Sequence, residues 1–95
     1  MTLLQQLGIK TDTLFRVEIY FETNDVLDEE AVELEIRKER QSSHVDPDLS
    51  DWMFQPGSPA SPPCITVSGP SRKHVEHDAT QIVRLLQELQ IQISR

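Results

Sequence analysis

The sequence predicts an α+β domain: a small antiparallel sheet of three to four strands with a C-terminal amphipathic helix packed on one face. Over Leu14–Glu22, Phe15, Val17, Ile19 and Phe21 alternate with Arg16, Glu18 and Glu22, the period of two that marks a half-buried strand. Cys64-Ile65-Thr66-Val67-Ser68 repeats that alternation in a shorter run. From Ser71 to about Leu89 the period lengthens to that of a helix. There Val75, Ala79, Ile82, Val83, Leu86 and Leu89 form one stripe with Leu85 at its border, opposite Lys73, His77, Thr80, Arg84 and Glu88.

At the N-terminus, Leu3, Leu4 and Leu7 have helical spacing and Gly8 suits the position just past a helix end, so a short helix or turn should lie over the core. The strong strand at 14–22 gives way to Thr23-Asn24-Asp25, a polar break of turn-forming residues. Residues 31–40 admit two readings. Val32, Leu34 and Ile36 alternate with Glu33, Glu35 and Arg37, as a second antiparallel strand would. Asp28-Glu29-Glu30-Ala31 nonetheless makes a good helix start, with acids at the positive end of the dipole, and Leu27, Ala31 and Leu34 share a helical face. The unbroken alternation favours the strand, paired with the first so that Arg16, Arg37 and the glutamates share a wet face.

Residues 41–63 are rich in serine and proline, with Pro47, Pro56, Pro59, Pro62 and Pro63, and read as one long loop within a single domain spanning 1–95. Within it, 58–63 should be extended and polyproline-like. Gly69-Pro70 ends the third strand, Ser71 is placed to cap the final helix, and Ile91-Gln92-Ile93 alternates once more as a candidate edge strand.

The formal net charge is −7, which favours solubility and weighs against general attraction to nucleic acid or anionic lipid. A single cysteine, Cys64, rules out an intramolecular disulfide. There is no signal-peptide pattern at the N-terminus and no stretch approaching the roughly 18 apolar residues of a membrane span. The expected address is cytoplasmic.

Candidate sites each have a plainer counterpart. Asp46-Pro47 looks like the start of a short helix that would set Leu49, Trp52 and Met53 on one face, with Phe54 following. Such a Trp-centred group either folds back over the domain's own core or docks into a partner. Arg37, Lys38 and Arg40 at the end of the second strand, with Arg72 and Lys73 at the start of the last helix, would form a basic corner if they meet. His74, His77 and Asp78 have spacing that suits a metal ion, but a solvated helix start explains them better and no metal or other cofactor is expected. Cys64 reads as a buried cysteine on an edge, not a nucleophile.

The strand-turn-helix of Ile65-Thr66-Val67-Ser68-Gly69 with Val75, Ala79, Ile82 and Leu86 resembles the closing strand and helix of KH-type RNA-binding domains. The resemblance covers about the last quarter of the chain. The GxxG loop that clamps nucleic acid in that family is missing, since Gly8, Gly57 and Gly69 are isolated, so no binding residues carry over. Neither a Ser-His-Asp elbow, a P-loop, a dinucleotide fingerprint nor a Cys-x-x-Cys is present.

The expected function is that of a small non-catalytic protein–protein interaction or accessory module, with contacts through Leu49, Trp52, Met53 and Phe54 and an exposed sheet edge that would allow a homodimer. The alternative is RNA binding through Arg37, Lys38, Arg40, Arg72 and Lys73.

Overall fold

The computed structural model describes residues 2–11, 15–22, 26–42 and 49–94, with the side chains of residues 26–28 and 42 excepted. In chain order the elements are α1 (Leu3–Gln6), β1 (Arg16–Glu22), α2 (Val26–Ser42), β2 (Asp51–Gln55), β3 (Cys64–Ser68), α3 (Arg72–Glu88) and β4 (Gln92–Ile93). The strands form a four-stranded sheet in the order β2-β3-β1-β4, and every neighbouring pair is antiparallel. Because β3 lies between β1 and β2 and runs against both, β1 and β2 run the same way. The β1-α2-β2 crossover therefore skips one position, which β3 then fills. This is the split βαβ, or ferredoxin-like, plan, preceded by α1.

The register aligns the apolar residues into rows. Trp52, Val67 and Val17 lie side by side across β2, β3 and β1, and Phe54, Ile65 and Ile19 form the next row. Phe21 faces Ile93 on β4. These rows meet Val75, Ala79, Ile82, Val83 and Leu86 of α3, Val32 and Ile36 of α2 and Leu4 of α1 in one hydrophobic core. Burying each large side chain contributes roughly 1.5–3 kcal/mol before conformational entropy is subtracted. Phe21 and Phe54 add a tilted ring contact, with centroids 6.1 Å apart.

The termini of two helices close in the same manner. After α1, Gly8 takes φ 74°, its N–H bonds Gln5 O at 3.1 Å and that of Ile9 bonds Leu4 O at 2.9 Å, a Schellman closure. After α3, Gln90 takes φ 61° with the matching pair, Gln90 N–H to Gln87 O and Ile91 N–H to Leu86 O. At the start of α1, Thr2 and Gln5 bond each other's backbone N–H in a capping box. Ser71 occupies the cap position of α3, but its hydroxyl meets His74 Nδ1 at 2.8 Å and not a backbone N–H.

Several sequence expectations need correction. Residues 31–40 belong to α2, not to a strand. A strand would bury Val32, Leu34 and Ile36 together, whereas Val32 and Ile36 are buried and Leu34 is 57% exposed. Glu33 and Arg37 pair at 2.8 Å across one helical turn, and Glu35 meets Lys38 at 3.5 Å, the spacings a helix brings together. Arg37 therefore forms no cross-strand pair with β1. The strand that does close the sheet, β2, lies within 41–63, so that stretch is not one loop.

Strand β1 begins at Arg16, because Phe15 takes φ 55° and breaks the extended run. The expected polyproline stretch instead holds a tight turn, in which Ser58 and Ser61 exchange backbone hydrogen bonds at 2.8 and 3.2 Å. Cys64 sits on an inner strand. Leu14, the Thr23-Asn24-Asp25 turn and the Asp46-Pro47 helix start lie outside the described residues, as does the Leu27 side chain.

Candidate functional site

Among the described residues, strand β2 is the outermost strand on its side of the sheet. Which of its backbone groups point outward follows from the ladder. Phe21 N–H donates to Pro63 O at 3.2 Å, so the odd-numbered residues of β3 bond β1. In an antiparallel ladder the alternate residues turn the other way. Thr66 and its even-numbered neighbours therefore bond Asp51, Met53 and Gln55, and the N–H and C=O groups of Trp52 and Phe54 point away from the sheet. Trp52 N–H is held by the Asp51 carboxylate at 2.8 Å. For Phe54 no described residue supplies a partner on that side.

The side chains of β2 divide by parity. Trp52 and Phe54 are half-buried against the core, while Asp51, Met53 and Gln55 face outward. Met53 is 57% exposed and Leu49, just before the strand, 36%. The expected shared face of Leu49, Trp52 and Met53 is therefore not formed, since neighbouring residues of a strand point to opposite sides. Trp52 covers the domain's own core, with the Arg37 guanidinium 5.6 Å from its ring centroid.

The approach to β2 is fixed by a buried polar cluster. Asp78 on α3 lies 3.4 Å from Arg40 Nη1 on α2, and Arg40 Nη2 donates to Ser50 O at 3.4 Å. Ser50 Oγ also donates to Asp78, and the Arg40 and Asp78 side chains are only 11% and 9% exposed. Gly69 presses on the same place, where a Cβ would overlap the Leu49 carbonyl and come within 2.9 Å of Ser50 Cα. These contacts hold Leu49 and Ser50 against the end of β3 and set where the edge strand begins.

The basic residues do not make a free cationic corner. Arg37 pairs with Glu33, Lys38 with Glu35, Arg40 with Asp78 and Arg72 with Glu76, the last at 2.6 Å. Lys73 is exposed at the start of α3. Asp78 is turned to Arg40 and Ser50, away from the exposed His77. Among the described residues, no three His, Cys, Asp or Glu side chains converge in a way that could hold a metal ion.

The outer face of the sheet holds a second feature, an open cavity of about 390 Å³ between residues 7–10 and Arg16, Glu18 and Tyr20. The Tyr20 hydroxyl donates to Glu18 at 3.0 Å, and Arg16 Nε lies 3.6 Å from the same carboxylate. That bond to Glu18, with the Cys64 charge as the next cause, raises the Tyr20 pKa above its ordinary 10.0. Cys64, directly across the ladder from Tyr20, is raised above 9.0 chiefly by burial. Both shifts move away from neutrality, opposite to what a general base or an activated thiol requires.

Of the four expected contact residues, Leu49 and Met53 are exposed; that β2 is an edge strand was not foreseen from the sequence. The signal was the alternation of Trp52 and Phe54 with Asp51, Met53 and Gln55, which the Asp-Pro cap pattern outweighed. Arg40, Asp78 and Ser50 carried no local pattern, since their partnership spans three elements. No helix among the described residues is long and apolar enough to cross a membrane. Compared with known proteins, the chain matches no family model, no curated protein and no solved structure.

Proposed function

We propose that this chain is a non-catalytic protein–protein interaction module of the cytoplasm that receives an extended segment of a partner along β2. The observation that carries the reading is the outward-facing backbone of Trp52 and Phe54 beneath an exposed Met53. Strand addition to such an edge gains main-chain hydrogen bonds, while side chains at alternate positions supply selectivity. Leu49 and Met53 would contact the partner directly, and Trp52 and Phe54 would hold the edge from below. The ferredoxin-like plan hosts many unrelated functions and adds nothing to this choice.

RNA binding draws less support. Its candidate cations Arg37, Lys38, Arg40 and Arg72 are paired with carboxylates, and the outer face of β1 carries Glu18 and Glu22 beside a single aromatic, Tyr20. Single-stranded nucleic acid favours a basic groove with stacking rings.

The test is capture from native extract with the whole chain and with Met53→Asp and Leu49→Asp. A partner that survives nuclease and is lost with either variant supports the reading. Captured material that disappears with nuclease, or that ignores both substitutions, overturns it.

A further inference from the structure

The edge of β2 has a property that a general docking strand does not need: its residues are self-complementary about Met53. Only Trp52 and Phe54 present backbone groups outward, so an antiparallel partner strand must align with them. When that partner is β2 of a second copy, one register pairs all five residues of the strand. Trp52 then lies opposite Phe54 of the second copy, and each such pair exchanges both backbone hydrogen bonds. Met53 lies opposite Met53 of the second copy on a two-fold axis. Shifting toward Phe54 brings Pro56, which has no N–H, into the ladder, and shifting toward Trp52 leaves Gln55 unpaired.

The charges agree with the same register. Asp51, the one ionised side chain on β2, faces the Gln55 amide of the second copy, a hydrogen-bond donor, and the two Asp51 carboxylates stay at opposite ends of the pair. The carboxylate that now caps Trp52 N–H is thereby released to a new donor as that N–H enters the ladder. The exposed Met53 side chains cover one another, and unbranched methionine adapts to such a contact. The outcome is a closed isologous pair with one continuous sheet and no open β2 edge.

We infer that the occupant of the β2 edge is a second copy of this chain, paired antiparallel about Met53. The inference rests on the proposed function and names its partner. Each copy carries a formal net charge of −7, so like-charge repulsion opposes the pair and added salt should strengthen it.

The experiment combines solution mass across concentration and salt with cysteine cross-linking under mild oxidation. The native chain is the control, because its one cysteine is buried. A non-hydrogen-bonded pair sets Cα atoms about 4.5 Å apart, within disulfide reach. Met53→Cys is expected to cross-link to itself, whereas Asp51→Cys and Gln55→Cys should cross-link only when mixed. A mass that rises above the monomer with concentration and salt is expected alongside. A monomeric mass at high micromolar concentration without a Met53→Cys cross-link overturns the inference, and so does preferential linkage of Asp51→Cys to itself. If that happens while Met53→Asp still abolishes a nuclease-resistant capture, the edge remains a docking site for another protein. If Met53→Asp abolishes nothing, both readings fall.

Discussion

Among the described residues, replacing Asp78 by alanine should be the most damaging polar substitution, through what it leaves behind. Arg40 is held in a nearly closed space by Asp78 and by the Ser50 carbonyl, each at 3.4 Å, with 11% of its side chain exposed. Removing one partner of a buried ion pair costs about 3–5 kcal/mol, because the other charge stays desolvated. Both contacts to Arg40 are long, and a tenth of the guanidinium side chain reaches water, so the cost falls to the bottom of that range or just below it, roughly 2–3 kcal/mol. Against a total stability of about 5–14 kcal/mol for a domain of this size, the loss is large. Urea unfolding followed by Trp52 fluorescence measures it. With a slope of about 1 kcal/mol/M, the midpoint should fall by roughly 2–3 M. The double variant Arg40→Met/Asp78→Leu should recover most of the loss, since an apolar pair of similar volume leaves no charge unpaired. A midpoint shift below about 0.5 M for Asp78→Ala, or a double variant no better than the single, would refute the assignment of this cluster as the lock that positions β2.

Two further outcomes follow from the same geometry. Gln90→Gly should stabilise the chain by about 0.5–1 kcal/mol, because Gln90 holds a left-handed conformation that glycine adopts without its Cβ penalty; the thermal midpoint reads the gain. Cys64 has a folded-state pKa raised above 9.0, chiefly by burial. Its contribution is then complete below pH 9.0 and is lost as the pH rises through the folded value, since the unfolded chain releases the thiol proton first. Stability measured from pH 8 upward should fall less steeply in Cys64→Val than in the native chain, and identical slopes would contradict the burial effect.

The reach of the sequence differed between elements for physical reasons. β3 and α3 were legible because Ile65 and Val67 on the strand and Val75, Ala79, Ile82, Val83 and Leu86 on the helix are buried at the spacing of each element, although Cys64 is buried on the other face of β3. α2 was misread because Leu34 is apolar and exposed, which completed an alternation that the fold does not use. Its helical character lay in the acids at its start and in the Glu33–Arg37 spacing, weak signals beside three alternating aliphatics. β2 was hidden by its length and by serine and proline around it, and its alternation gains meaning once β3 supplies the facing rows Trp52–Val67 and Phe54–Ile65. Of the residues grouped in the sequence as one apolar face, Leu49 and Met53 are exposed as that grouping needs. That Trp52 turns inward depends on register, and the Arg40–Asp78–Ser50 cluster depends on tertiary contacts that no single segment encodes.

The central claim, an open β2 edge whose Phe54 backbone awaits a partner strand, is tested most directly by amide hydrogen exchange at Met53 and Phe54. In dilute solution Met53 N–H, bonded into β3, should be protected, and Phe54 N–H should exchange near the rate of an exposed amide. Phe54 should gain protection as a partner strand is added or as the chain is concentrated. Equal protection of both amides in the dilute chain would mean that the edge is already closed by the chain itself, and the docking account would fail.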